Sequence, residues 1–146
     1  MLSNIFDTHA HYTNPEFDED RDTLLEQLPE KGVKYVLLAS SDVESTLFGQ
    51  EISGRYDYIY TSAGVHPEYA NDAPDGWLKV IEKATEFEKN VAIGEIGLDY
   101  HYEGYDKDAQ IKMFESQLEL AKSKDLPVII HSRDATADCM EILRKH

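Results

Sequence analysis

Five short apolar runs alternate with five amphipathic stretches along the chain, and this alternation restricts its fold more than any other feature. The runs Ile5–His9, Val33–Ala39, Tyr58–Ala63, Val91–Ile96 and Pro127–His131 are rich in β-branched and aromatic residues, which predicts strands. The intervening stretches carry helical periodicity. Phe17–Leu28 places Leu24, Leu25 and Leu28 among charged residues, and Val43–Ser53 follows a capping residue at Asp42. Trp77–Phe87 sets Trp77, Ile81, Ala84 and Phe87 on one face, and Lys107–Lys122 does the same with Ile111, Phe114, Leu118 and Ala121. Ala135–Leu143 follows a second predicted cap, Asp134. Five βα repeats predict a parallel sheet with right-handed crossovers. No low-complexity linker divides the 146 residues, so residues 1–146 read as a single domain.

Two architectures share this pattern. Length favours an open doubly wound sheet, because a closed (β/α)8 barrel needs about 250 residues. The polar residues favour the barrel. His9, His11, His66, Glu95 and His131 all fall at or just after the predicted carboxyl ends of strands. Barrel enzymes build their sites there from many strands, whereas an open sheet concentrates its site at one switch point.

Charge narrows the function. With 29 acidic against 14 basic residues the chain carries a net charge of −15, which disfavours a basic nucleic-acid coat or an anionic membrane partner. A phosphate substrate stays open if bound cations supply positive charge locally. Cys139, the one cysteine, cannot form an internal disulfide and reads as a small buried apolar group. There is no leader-like segment at the amino terminus and no run near the roughly 20 apolar residues of a membrane helix, so a cytoplasmic protein is expected.

His9 and His11 flank Ala10, and residues two apart in a strand face the same side, so both imidazoles can meet at one point. Such a pair suits a divalent transition metal; a locally bonded turn is the competing reading. Glu95 lies in Val91-Ala92-Ile93-Gly94-Glu95-Ile96, where a buried carboxylate is costly unless paired or metal-bound. Its two oxygens can bridge two cations. His131 ends its run before Ser132-Arg133-Asp134 and reads as a site residue or as a core histidine bonded to a carbonyl. His66, before Pro67, reads equally as a site or a turn residue. Arg133 suits bidentate contact with phosphate, or an ion pair with Asp134 or Asp99. Asp99 reads as a carboxylate that orients a ligand histidine or as a loop cap. Tyr100, Tyr102 and Tyr105 read as base-stacking residues or as cover for a core edge.

Four segments together carry a resemblance. Asp7-Thr8-His9-Ala10-His11, Gly64-Val65-His66-Pro67, Gly94-Glu95-Ile96-Gly97-Leu98-Asp99-Tyr100 and His131-Ser132-Arg133-Asp134-Ala135 resemble, in order and spacing, the signatures of the TatD family of metal-dependent deoxyribonucleases. That family belongs to the metal-dependent hydrolase superfamily of (β/α)8 TIM-barrel fold. The resemblance implies an α/β barrel of which about the first five βα units are present. It implies hydrolysis of DNA phosphodiester bonds by a water activated between two divalent ions (Mg, Mn or Zn). In that pattern His9 and His11 hold the first ion, Glu95 bridges both and is the catalytic residue, and His131 holds the second. His66 and Arg133 lie near the substrate phosphate. Family members continue past residue 146 and take a further histidine and an aspartate from later strands. The chain therefore reads as an incomplete amino-terminal part, with impaired hydrolysis and with self-association or pairing with a carboxyl-terminal part through its open edge. Amide- or lactone-cleaving enzymes on the same scaffold often carry a bridging lysine, so Glu95 favours the nuclease; such an amidohydrolase and a non-catalytic half-barrel binding module are the alternatives.

Overall fold

A computed structural model describes residues 3–146. Five strands, β1 (Ile5–Ala10), β2 (Val33–Leu38), β3 (Ile59–Ala63), β4 (Asn90–Asp99) and β5 (Val128–Arg133), alternate with α1 (Arg21–Gln27), α2 (Val43–Arg55), α3 (Trp77–Ala84), α4 (Lys107–Lys124) and α5 (Thr136–Lys145). All pair in parallel, in the order β1-β2-β3-β4-β5. That order decides between the two architectures. A doubly wound sheet reverses its order at a switch point. Here each crossover steps to the next neighbour without reversal, as in the wall of a (β/α)8 barrel. The molecule is a half-barrel.

Apolar side chains pack the sheet against its helices in two clusters. Leu25, Val36, Leu38, Ile52 and Ile59 fill the first; Ile81, Ile93, Ile96, Leu98, Phe114 and Leu118 are the centre of the second, which also holds the buried Cys139. Asp42 caps α2 as expected: it accepts from the Ser45 N–H at 2.6 Å, and the Asp42 N–H donates to Ser45 Oγ at 2.9 Å. Among the described residues no helix is long and apolar enough to cross a membrane.

Several boundaries differ from the sequence reading. Phe17–Leu28 is not one helix. Pro15 opens a 3₁₀ turn (Pro15–Phe17), α1 starts only at Arg21, and Pro29 opens another turn (Pro29–Lys31). Helix α3 ends at Ala84, which leaves Phe87 outside it. Asp134 does not cap α5: its φ is 54°, Ala135 takes the cap position, and the Asp134 carboxylate accepts from His101 instead. Strands β4 and β5 run on to Asp99 and Arg133, because pairing of Leu98 with Ser132 and Asp99 with Arg133 continues past the apolar residues.

Two irregularities place the site. Asp7 and Ala10, three residues apart, pair with Val36 and Leu38, two apart. Ile93 and Ile96 pair likewise with Val128 and Ile130. Each strand thus carries an extra residue, one beside His9 and one beside Glu95. Such bulges bend a strand and re-aim its side chains, and they recur next to active sites.

Candidate metal centre

Strands β1, β4 and β5 bring His9, Glu95 and His131 to the wall of one cavity of about 760 Å³, which His11 and His66 also line. His9 Nε2 lies 3.0 Å from His11 Nε2 and 3.1 Å from Glu95 Oε2; His11 Nε2 is 3.6 Å from the same oxygen. Donors about 2.1 Å from a cation stand about 3.0 Å apart in an octahedron and about 3.4 Å apart in a tetrahedron. The three lone-pair atoms are therefore spaced as the ligands of one divalent ion. The other carboxylate oxygen, Glu95 Oε1, faces His131 Nδ1 at 3.0 Å. One carboxylate thus divides its oxygens between two sets of histidines.

Electrostatics keeps that carboxylate charged. Glu95 is only 8% exposed, and burial alone raises its pKa, but the His131 hydrogen bond and the neighbouring imidazoles outweigh burial and bring it down to about 2. His131 moves up, chiefly through its bond to Glu95. Its second nitrogen, Nε2, sits 2.9 Å from Asp99 Oδ2. Burial raises the Asp99 pKa, and the His101 N–H at 2.9 Å with His131 more than reverses it. Asp99 therefore caps the loop and lies against His131 Nε2, where it can hold the proton. That leaves Nδ1, the atom beside Glu95, free to exchange its proton for a cation.

His66 takes the turn position and also lines the cavity. Its Nδ1 accepts from the Glu68 N–H at 3.2 Å, at the start of the turn Pro67–Tyr69, and its ring lies 4.1 Å from that of His131. Burial first, then the charge of His131, pushes its pKa down to about 4. The neutral ring carries its proton on Nε2. His66, Asp99 and His131 place donor atoms within 4.8 Å of one another. One His66 nitrogen accepts a bond and the other holds a proton, so the ring suits donation to an anion better than coordination.

The lowered pKa carries a stability consequence. A group whose folded pKa is depressed contributes stability that is complete above its unfolded value, about 6.5, and is lost as pH falls through the folded one. The loss is at most about 3 kcal/mol and is reduced by the ring's partial exposure. Urea unfolding in chelator at about pH 7 and about pH 4.5 is expected to show this loss, and His66→Gln to remove part of it. Glu95 contributes a loss only at lower pH, and His131 acts with opposite sign, losing stability as pH rises. Equal pH slopes for parent and His66→Gln would contradict the assignment.

Helix α4 supplies residues that sequence reasoning missed. The Gln117 amide accepts from the Val65 N–H at 2.7 Å and donates to the Val65 carbonyl at 2.9 Å. Gln110 does the same for Asp99, at 2.9 and 2.8 Å. Both amides are buried, and they clasp the backbone next to His66 and at the carboxylate that holds His131. Their signal in the sequence is a pair of polar residues seven apart, two helical turns, beside Phe114 and Leu118. Gly97 has φ 147°, and a Cβ there would collide with the His131 carbonyl oxygen, so only glycine lets β4 approach β5 this closely.

Arg133 does not line the main cavity, and it pairs with neither Asp134 nor Asp99. Its Nη1 donates to the Tyr102 hydroxyl at 3.1 Å, and its guanidinium lies 5.0 Å above that ring. Tyr100 bonds Asp138 at 2.9 Å and stacks on Tyr105 at 4.8 Å.

Known proteins share both the sequence and this architecture. The family described as TatD related DNase matches residues 6–146. The uncharacterized metal-dependent hydrolase YabD of Bacillus subtilis is 39% identical over 141 residues, covering 97% of this chain and 55% of that protein. A protein named 3'-5' ssDNA/RNA exonuclease TatD, from Erwinia tasmaniensis, is 30% identical over 141 residues, covering 96% of this chain and 54% of its own length. The crystal structure of YjjV, a TatD homologue from Escherichia coli, superposes with a TM-score of 0.91 at 31% identity, covering 97% of this chain and 56% of that one. The chain thus spans about half the length of the relatives it matches. With its half-barrel and its histidine–carboxylate cluster, the chain belongs to the TatD-related DNase family of metal-dependent hydrolases.

Proposed function

We propose that this chain is the metal-binding half of a nuclease that hydrolyses phosphodiester bonds of DNA, working in the cytoplasm. The observation that carries the reading is the division of Glu95, with Oε2 toward His9 and His11 and Oε1 toward His131. His9, His11 and Glu95 would hold one divalent ion, and Glu95 with His131 would hold a second. Imidazole nitrogens favour Mn²⁺ or Zn²⁺ over Mg²⁺. When bound, such ions supply Lewis-acid charge that activates water and stabilises the oxygens of an in-line displacement. They also offset the negative charge of the protein where the phosphodiester docks. His66, neutral and protonated on Nε2, donates to a phosphate oxygen, and Arg133 contacts the strand beside it. An Erwinia relative named as an exonuclease on single-stranded DNA and RNA supports a nucleic-acid substrate.

The reading includes self-association or pairing with a segment that continues the sheet. β1 and β5 are its outer strands. Phe6 and Tyr35, on β1 and β2, are 51% and 39% exposed and meet edge to face at 6.0 Å. Exposed aromatic surface beside an unpaired strand edge favours a covering partner.

The test is incubation of a labelled single-stranded DNA oligonucleotide with the chain in Mn²⁺ or in chelator. Slow, metal-dependent cleavage that Glu95→Ala abolishes is expected. Hydrolysis of small amides or lactones with DNA left intact would overturn the nuclease reading in favour of an amidohydrolase.

A further inference from the structure

In a chain of net charge −15, Arg133 has no carboxylate partner among the described residues. The carboxylates closest in sequence and pairing are already engaged. Asp134 accepts from His101 at 2.9 Å, and Asp99 accepts from the His101 N–H and from His131. The guanidinium rests instead on Tyr102, through one hydrogen bond and one cation–π contact. Neither contact neutralises its charge, so Arg133 is held in place and remains available to an anion.

Tyr102 is also 56% exposed and walls a second cavity of about 190 Å³, together with Tyr105, Pro67 and Gly104. Glu68 lines both this cavity and the main one, so the two adjoin. At about 30 Å³ per water the space equals about six waters, which suits one planar base without its sugar and phosphate. Asp72, Glu103 and Asp106 on its wall repel a phosphate and suit the amino groups of a base.

We propose that Tyr102 and Arg133 form a nucleotide subsite beside the metal centre, with a phosphate on Arg133 and the adjoining base in the cavity walled by Tyr102 and Tyr105. Tyr102 is the positioning residue for Arg133 and the stacking surface for the base. Bases with an exocyclic amine, such as cytosine, bind better than thymine. The inference rests on the nuclease reading and deepens it.

The test is fluorescence anisotropy of labelled pentanucleotides with the whole chain in chelator, where cleavage is off. Oligodeoxycytidylate is expected to bind about 10-fold tighter than the same backbone without bases. Tyr102→Ala is expected to abolish that preference. Tyr102→Phe keeps the ring and the preference but weakens binding of both oligomers equally, through the lost bond to Arg133. An unchanged preference in Tyr102→Ala, or equal binding of the abasic strand by the parent chain, overturns the subsite. So does failure of the parent to bind any pentanucleotide. Mn²⁺-dependent cleavage of longer DNA reports separately on the nuclease reading, since none of the proposed metal-binding residues is altered.

Discussion

Glu95→Ala is expected to bind Mn²⁺ at least about 100-fold more weakly than the parent chain. Removing a group that merely orients a ligand already costs about 10- to 100-fold in metal affinity. Glu95 is closer to the chemistry, because its two oxygens face both histidine sets. Its loss leaves the ring nitrogens of His9 and His11 with no carboxylate beside them, and His131 with Asp99 alone. The fold is expected to survive, within about 1 kcal/mol of the parent, because the histidines can shed their protons and no stranded charge remains. Glu95→Gln keeps the shape and loses the charge, so its affinity should fall between the two. Titration calorimetry with Mn²⁺ and thermal unfolding in chelator check both halves. Affinity within about threefold of the parent would remove Glu95 from the centre.

Gln117→Leu is expected to cost about 2–6 kcal/mol of stability. The side chain has no exposure, and its amide is the partner of both the N–H and the carbonyl of Val65. Leucine fills a similar volume but leaves two buried backbone groups unsatisfied, at about 1–3 kcal/mol each. Against a net stability of about 5–15 kcal/mol, this removes a large share of what holds the fold. Val65 directly precedes His66, so the same substitution should also loosen the ring against His131. Urea unfolding measures the first effect, and the line width of the His66 ring resonances measures the second. A change below about 0.5 kcal/mol would show that the clasp adds nothing beyond core volume.

The fold was legible in the chain because period and composition change sharply between its elements. Val33–Leu38 and Ile59–Ala63 announce strands, and their alternation with helices announces a parallel sheet. Sequential strand order was not legible from length, which pointed to an open sheet; the spread of polar residues over several strand ends indicated a barrel wall. Boundaries slipped where local chemistry overrode pattern, as at Pro15 and Pro29, or where pairing outlasted hydrophobicity, as at Leu98 and Asp99. The histidines and Glu95 stood out because a charged or imidazole group in an apolar run demands a partner. Gln110 and Gln117 did not, because an amide in a helix reads as solvent-facing until the backbone it clasps is placed opposite. The seat of Arg133 on Tyr102 was hidden for a related reason: it depends on a loop, not on a periodicity.

In the proposed centre His9, His11, Glu95 and His131 together hold divalent metal. Anomalous scattering at the manganese edge from crystals of the chain grown with Mn²⁺ tests it directly. One peak is expected among His9 Nε2, His11 Nε2 and Glu95 Oε2, and a second between Glu95 Oε1 and His131 Nδ1. Crystals that diffract well and show no anomalous density among these side chains would contradict it.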